Sequence, residues 1–144
     1  MPSPIKYGKT GQVSERKPIR VLLVDDDPGF LAALAALFAN DERFEIAGTA
    51  TDGDEAVSHA ISLQPDVVTM DIEMPRMDGV EATRQIREHV PATRVVVVSA
   101  SAHASRAEAA HEAGASAYVS KSGFADELLE AVAAVARGEN FVAA

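Results

Sequence analysis

The sequence predicts an α/β domain of five βα units around a parallel sheet, and three observations carry that reading. From residue 19 onward, short apolar runs rich in β-branched residues alternate with segments of helical spacing. The runs are continuously hydrophobic rather than alternating, as expected of strands buried on both faces. The chain has 144 residues, 47% hydrophobic and 24% charged, which suits one globular domain with a sizeable core. Such a succession gives right-handed crossovers with helices on both faces of the sheet.

The first strand is Ile19–Val24, and the helix after it runs over Pro28–Asn40. Asp27 is placed to cap that helix and Pro28 to occupy its first position. Phe30, Leu31, Leu34, Leu37 and Phe38 share its apolar face. The second strand is Phe44–Ala50, followed by a helix opened by Asp52 and Glu55 and stopped before Pro65. The third strand is Asp66–Met70; its helix starts with Asp78 and Glu81 and stops before Pro91. The fourth is Arg94–Ser99, with a helix opened by Ser105 and Glu108 and closed at Gly114. That helix offers only alanines as apolar contacts, so it is expected to bury little area and to be held weakly. The fifth strand is Ala117–Ser120, and the last helix runs from about Phe124 to Arg137, closing at Gly138. Residues 1–18, with three prolines and four basic residues, read as a flexible arm; 19–140 form the domain, and 141–144 are a tail or the start of a linker.

Composition removes whole classes of chemistry. There is no cysteine, so thiolate nucleophiles, zinc–thiolate sites and disulfides are excluded. The histidines His59, His89, His103 and His111 share no i, i+4 ligand spacing and read as solvent-facing helix residues. Thirteen basic against twenty-two acidic residues give −9, and without the arm the balance falls to −12. So acidic a surface repels phosphate backbones, so direct nucleic-acid binding by this chain is not expected. No apolar run reaches the length of a membrane span and no signal peptide opens the chain, so a cytoplasmic location is expected.

In an open α/β sheet, ligands bind outside the carboxyl ends of the strands. The first strand carries Asp25 and Asp26 there, the third Asp71, the fourth Ser99 and the fifth Lys121. Three carboxylates crowded together would force a proton onto one of them; a divalent cation and Lys121 would balance the charge. An all-oxygen donor set suits a hard ion such as Mg²⁺, for which Mn²⁺ can substitute. An aspartate beside such an ion and a lysine is a competent nucleophile toward phosphorus.

The stretches VLLVDDDPGF, DVVTMDIEMPRMDGVEATRQI, VVVVSAS and AGASAYVSKS together resemble a response regulator receiver domain of two-component signalling. The likeness spans roughly residues 19–140, and the DxxMPxMDG motif around Asp71 is its most specific part. It implies a flavodoxin-like (βα)5 three-layer sandwich with strand order 2-1-3-4-5. It implies Asp71 as acceptor of a phosphoryl group from a sensor histidine kinase. Asp26 and Asp71 would ligate Mg²⁺ directly, the Glu73 backbone carbonyl would add a ligand, and Asp25 would act mostly through water. Ser99 and Lys121 would bind the phosphoryl group, and Ser99 with Tyr118 would form the switch. The domain would catalyse only its own phosphorylation and dephosphorylation, and a weak homodimer would form on phosphorylation.

Two departures stand out. Ser122 follows the lysine where the family often has a proline after a cis bond, which a non-proline residue makes costly. Asp27 makes a run of three acids where two are needed, and it is assigned to the helix cap. Taken alone, Pro75 and Gly79 build a turn, and the acidic runs Asp52–Glu55 and Asp126–Glu130 are solvated helix faces. The last helix and tail resemble regulators that continue into a DNA-binding helix-turn-helix domain of the LuxR type. The alternatives are a stand-alone receiver acting by protein contact or in a phosphorelay, and, remotely, an aspartate-nucleophile phosphohydrolase. The latter resembles DxDxT after the first strand, which this chain lacks.

Overall fold

The structure, a computed structural model, describes residues 17–100, 104–139 and 141–142. The strands are β1 (Ile19–Val24), β2 (Phe44–Ala50), β3 (Val67–Met70), β4 (Arg94–Ser99), β5 (Ala117–Ser120) and β6 (Phe141–Val142). The helices are α1 (Pro28–Ala39), α2 (Gly53–Leu63), α3 (Gly79–His89), α4 (Ala104–Glu112) and α5 (Phe124–Ala136), with a 3₁₀ turn over Lys121–Gly123. All pairings are parallel, in the order β2-β1-β3-β4-β5-β6. The expected 2-1-3-4-5 sheet is therefore present, with a two-residue strand added beyond β5 that the alternation of patterns did not foresee. It pairs Phe141 with Ala117 and Val142 with Tyr118.

Two apolar layers clamp the sheet. On one face Leu34 and Phe38 of α1 pack with Leu128, Val132 and Val135 of α5, against Val21, Leu23, Val67, Val96 and Val98. On the other, Ala56 and Ala60 of α2, Ala82 and Ile86 of α3 and Ala110 of α4 cover Leu22, Val24, Val68, Met70, Val95 and Val97. Double-sided burial holds only for the central strands β1, β3 and β4. β2 and β5 are partly open to water because each lies toward an edge, with one long neighbour instead of two. A bulge between Val21 and Leu22 skips Ala47 in the β1–β2 register.

Helix starts follow side-chain chemistry. Asp27 Oδ1 accepts from Gly29 N at 2.9 Å, capping α1 as expected. Asp52 and Asp78 accept from Glu55 N and Glu81 N. Neither cap is a full reciprocal box: Glu55 turns back to Thr51 N, and Glu81 pairs with Arg84 and Gln85. Ser105 corrects the expectation for α4. The helix begins at Ala104, so Ser105 is already helical rather than capping, and the preceding turn lies outside the described residues. At its other end Gly114, with φ +113°, donates to His111 O while Ala115 N donates to Ala110 O, a Schellman closure. α5 closes with the same pair of bonds around Gly138.

Among the described side chains of α4 only Ala110 is fully buried, as the alanine-only face implied. The histidine reading needs one change. His89 and His111 are exposed and His103 lies outside the described residues, but His59 is half-buried with Nδ1 3.1 Å from the Thr49 carbonyl. The Asp52 end of its acidic run is also engaged: Asp52 Oδ2 takes Arg76 Nη2 at 2.9 Å.

Candidate functional site

The carboxyl ends of β1, β3 and β5 converge. Asp25 follows the buried stretch Val21–Val24 and Asp71 the buried strand Val67–Met70, and they are themselves only 1% and 3% exposed. Lys121 Nζ lies 2.8 Å from Asp25 Oδ2 and 3.7 Å from Asp71 Oδ1. Asp26, next to Asp25, points into an exposed position. One carboxylate oxygen from each of Asp25, Asp26 and Asp71 lies within 4.8 Å of the others.

Local backbone fixes these groups. Asp25 Oδ1 accepts from Asp27 N at 2.8 Å, so the same residue that caps α1 also orients Asp25. Asp71 Oδ1 accepts from Glu73 N at 3.3 Å. The Asp71 backbone is in turn held by Gly79, whose N donates to Ile72 O at 2.8 Å. A Cβ at position 79 would stand 2.1 Å from the Asp71 carbonyl oxygen, so only glycine lets α3 start this close to the site. Gly79 is therefore a structural support of Asp71 as well as a turn residue. Arg76, at φ 64° in the same loop, reaches across to Asp52 at the start of α2.

Ser99 ends β4 and is fully buried. Tyr118 on β5 is half-buried and packs against the α2–α3–α4 cluster. Glu73 is exposed. No described peptide bond is cis. In place of a proline, Ser120 Oγ and Ser122 Oγ are 2.8 Å apart and Ser122 N donates to Ser120 Oγ at 3.2 Å, closing the turn that carries Lys121. Sequence reasoning placed Phe30 only in the α1 core stripe. Its ring centroid lies 4.4 Å from Lys121 Nζ, and aromatic character at this position was the one available signal.

Electrostatics follow from the crowding. Burial, then the neighbouring Asp25 charge, outweigh the pull of Lys121 and the Glu73 N–H, and the Asp71 carboxyl is pushed up to about 7. Burial works against the Lys121 charge, but Asp25 and Asp71 more than compensate and hold its pKa above the ordinary value. The donor set fits a hard divalent cation. It is all oxygen, it carries excess negative charge, and Asp25 Oδ2 is buried with no hydrogen bond beyond its ion pair with the ammonium.

A parallel α/β sheet whose strand ends gather three aspartates, a buried serine and a lysine defines a class of α/β domains with an acidic, cation-ready cluster at the functional edge of the sheet. The comparisons with known proteins make this specific: residues 21–133 match the response regulator receiver domain, and the chain belongs to that family. It is 37% identical over 131 residues to the transcriptional regulatory protein DegU of Brevibacillus brevis, covering 91% of this chain and 55% of that protein. It is 38% identical over 121 residues to the transcriptional regulatory protein LiaR of Bacillus subtilis strain 168, covering 84% of this chain and 57% of that one. A LuxR-family two-component response regulator from Aurantimonas sp. SI85-9A1 superposes with a TM-score of 0.83 at 33% identity, covering 88% of this chain and 90% of that one. The chain thus spans a little over half the length of the two curated relatives. Among the described residues no helix is long and apolar enough to cross a membrane.

Proposed function

We propose that Asp71 is the phosphoacceptor of this receiver and that its partner is a sensor histidine kinase. The observation that carries the reading is the buried Asp71 carboxylate with Lys121 Nζ 3.7 Å away and Asp25 and Asp26 beside it. An Asp71 oxygen forms the new P–O bond while the P–N bond to the donor histidine breaks; the electron pair leaves on the imidazole nitrogen, which takes up a proton. Lys121 neutralises charge gathering on the phosphoryl oxygens, and Ser99 donates a hydrogen bond to one of them. Asp26, Asp71 and the Glu73 carbonyl would hold Mg²⁺ or Mn²⁺, with Asp25 acting through water. The ion supplies charge neutralisation at the transferring phosphoryl group.

Phosphorylation replaces one carboxylate charge with about two negative charges and new acceptor oxygens. Ser99 and Tyr118 relay that change to α4, and the receiver, read as residues 19–140, passes it on through a weak homodimer. The named relatives are transcriptional regulators, and we extend that output to the protein from which this receiver comes, with DNA contacted by a separate domain. The location that fits is the cytoplasm. The test is intact mass after incubation with acetyl phosphate and Mg²⁺. A gain of about 80 Da, one phosphoryl group, is expected in the wild type and absent in Asp71→Asn. Equal labelling of that variant overturns the assignment.

A further inference from the structure

We propose that Phe30 is a positioning residue for Lys121, its ring keeping the ammonium within reach of the Asp71 carboxylate. The role rests on the reading of Asp71 as phosphoacceptor. Among the described residues, Lys121 Nζ meets Asp25 Oδ2 at 2.8 Å, Asp71 Oδ1 at 3.7 Å and the Phe30 ring centroid at 4.4 Å. A cation within about 6 Å of an aromatic centroid is attracted by the ring's quadrupole. The lysine stem is long and freely rotating, and Asp25 already holds the closer of the two ion pairs. Two carboxylates alone therefore leave the ammonium able to swing toward Asp25 and water. The longer contact, to Asp71, is the one that phosphoryl transfer needs.

The ring is itself well placed to restrict that motion. Asp27 caps α1 through Gly29 N, so the helix begins immediately after the acidic pair and sets position 30 in its first turn. Phe30 is half-buried and packs against the α1–α5 cluster that contains Leu34 and Phe38, its i+4 and i+8 neighbours. One part of the side chain is thus anchored in the core while the ring reaches the ammonium. An aliphatic side chain of similar bulk fills the same core space but offers a cation nothing. Phe30→Leu and Phe30→Tyr therefore separate packing from positioning.

Two readouts on the full chain decide the matter. In ¹³C,¹H spectra the Lys121 Hε resonances are expected upfield in the wild type and in Phe30→Tyr, through the ring current, and near the free-lysine position in Phe30→Leu. With acetyl phosphate and Mg²⁺, labelling of Asp71 is expected to slow about fivefold in Phe30→Leu and to stay within about twofold of wild type in Phe30→Tyr. Labelling of Phe30→Leu at the wild-type rate, or an equal fall in Phe30→Tyr, overturns the proposal. Thermal unfolding shows whether the variants fold, and Phe30→Met, which adapts to irregular gaps, replaces Phe30→Leu if that variant does not. If the wild type is not labelled at Asp71, the acceptor assignment fails; an upfield Lys121 Hε then still supports ring placement, and an unshifted one overturns that too.

Discussion

Replacing Asp71 by asparagine is expected to stabilise the metal-free protein at alkaline pH and to do progressively less as the pH falls. The ordinary carboxylate value of about 3.9 applies in the unfolded chain. In the folded protein, burial and the Asp25 charge push Asp71 up to about 7. Between those two values the native state holds a proton that the unfolded chain has lost, so stability falls as pH rises from about 4 to about 7 and levels off above it. A displacement of that size corresponds to roughly 4 kcal/mol. Asp26 beside it is open to water, and screening there reduces the figure to about 2 kcal/mol.

The assay is urea unfolding of wild type and Asp71→Asn at pH 5 to 8 in the presence of a chelator. At pH 8 the variant should be more stable by about 2 kcal/mol, and near pH 5 the gap should shrink well below that. Adding Mg²⁺ at pH 8 should raise the wild type and narrow the gap, because a ligand that binds only the folded state stabilises it. A gap that does not change with pH, or a variant less stable than wild type at pH 8, would refute the reasoning.

Three other outcomes follow from particular contacts. Gly79→Ala brings a Cβ to 2.1 Å from the Asp71 carbonyl oxygen and 2.7 Å from Ile72 Cα, both backbone atoms that cannot swing aside. Urea unfolding should show a loss of about 2–3 kcal/mol, with slower labelling of Asp71. Thr69 Oγ1 is buried with no hydrogen-bond partner among the described residues, so Thr69→Val should gain about 1 kcal/mol in the same assay. Ser99→Ala should still be labelled at Asp71, yet hydrogen exchange in residues 105–113 should no longer respond to phosphorylation. A response as large as in wild type would break the proposed route from Ser99 to α4.

Most of the site was legible because strand-end position does not depend on fine geometry. A continuous apolar run such as Val95–Val98 locates a buried parallel strand, and whatever follows it must lie at the functional edge. Asp25, Asp71, Ser99 and Lys121 were found by that rule alone. Phe30 escaped it because helical periodicity assigns a residue to a face and says nothing about which end of the sheet its ring reaches. The Ala47 bulge, the short β6 and the Arg76–Asp52 pair escaped for a related reason: each depends on a neighbour distant in sequence. The start of α4 was misplaced by two residues because Ser105 and Glu108 mimic a capping box, and propensity cannot distinguish a cap from a residue just inside the helix.

The same contacts pack the two sides of the domain unequally, and the proposed switch would use that difference. Asp25 and Lys121 are tied to α1 through the Asp27 cap and the Phe30 ring, and α1 is pinned in the core by Leu34 and Phe38. Among the described side chains of α4 only Ala110 is fully buried, and the turn after the helix rests on Arg87 of α3, whose stem a Cβ at Gly114 would strike at 2.7 Å. An alanine methyl contributes far less burial than a leucine or phenylalanine side chain. On the proposed switch, a change of about one charge at the ends of β3 and β4 leaves α1 in place, while a bias of a few kcal/mol would shift α4 between arrangements. If that division is right, filling the α4 face should freeze the response. Ala107→Leu, at a half-buried position on α4, should keep Asp71 labelling while reducing the exchange response of residues 105–113 to phosphorylation. A response undiminished in that variant would place the compliance of the domain elsewhere than in the thin packing of α4.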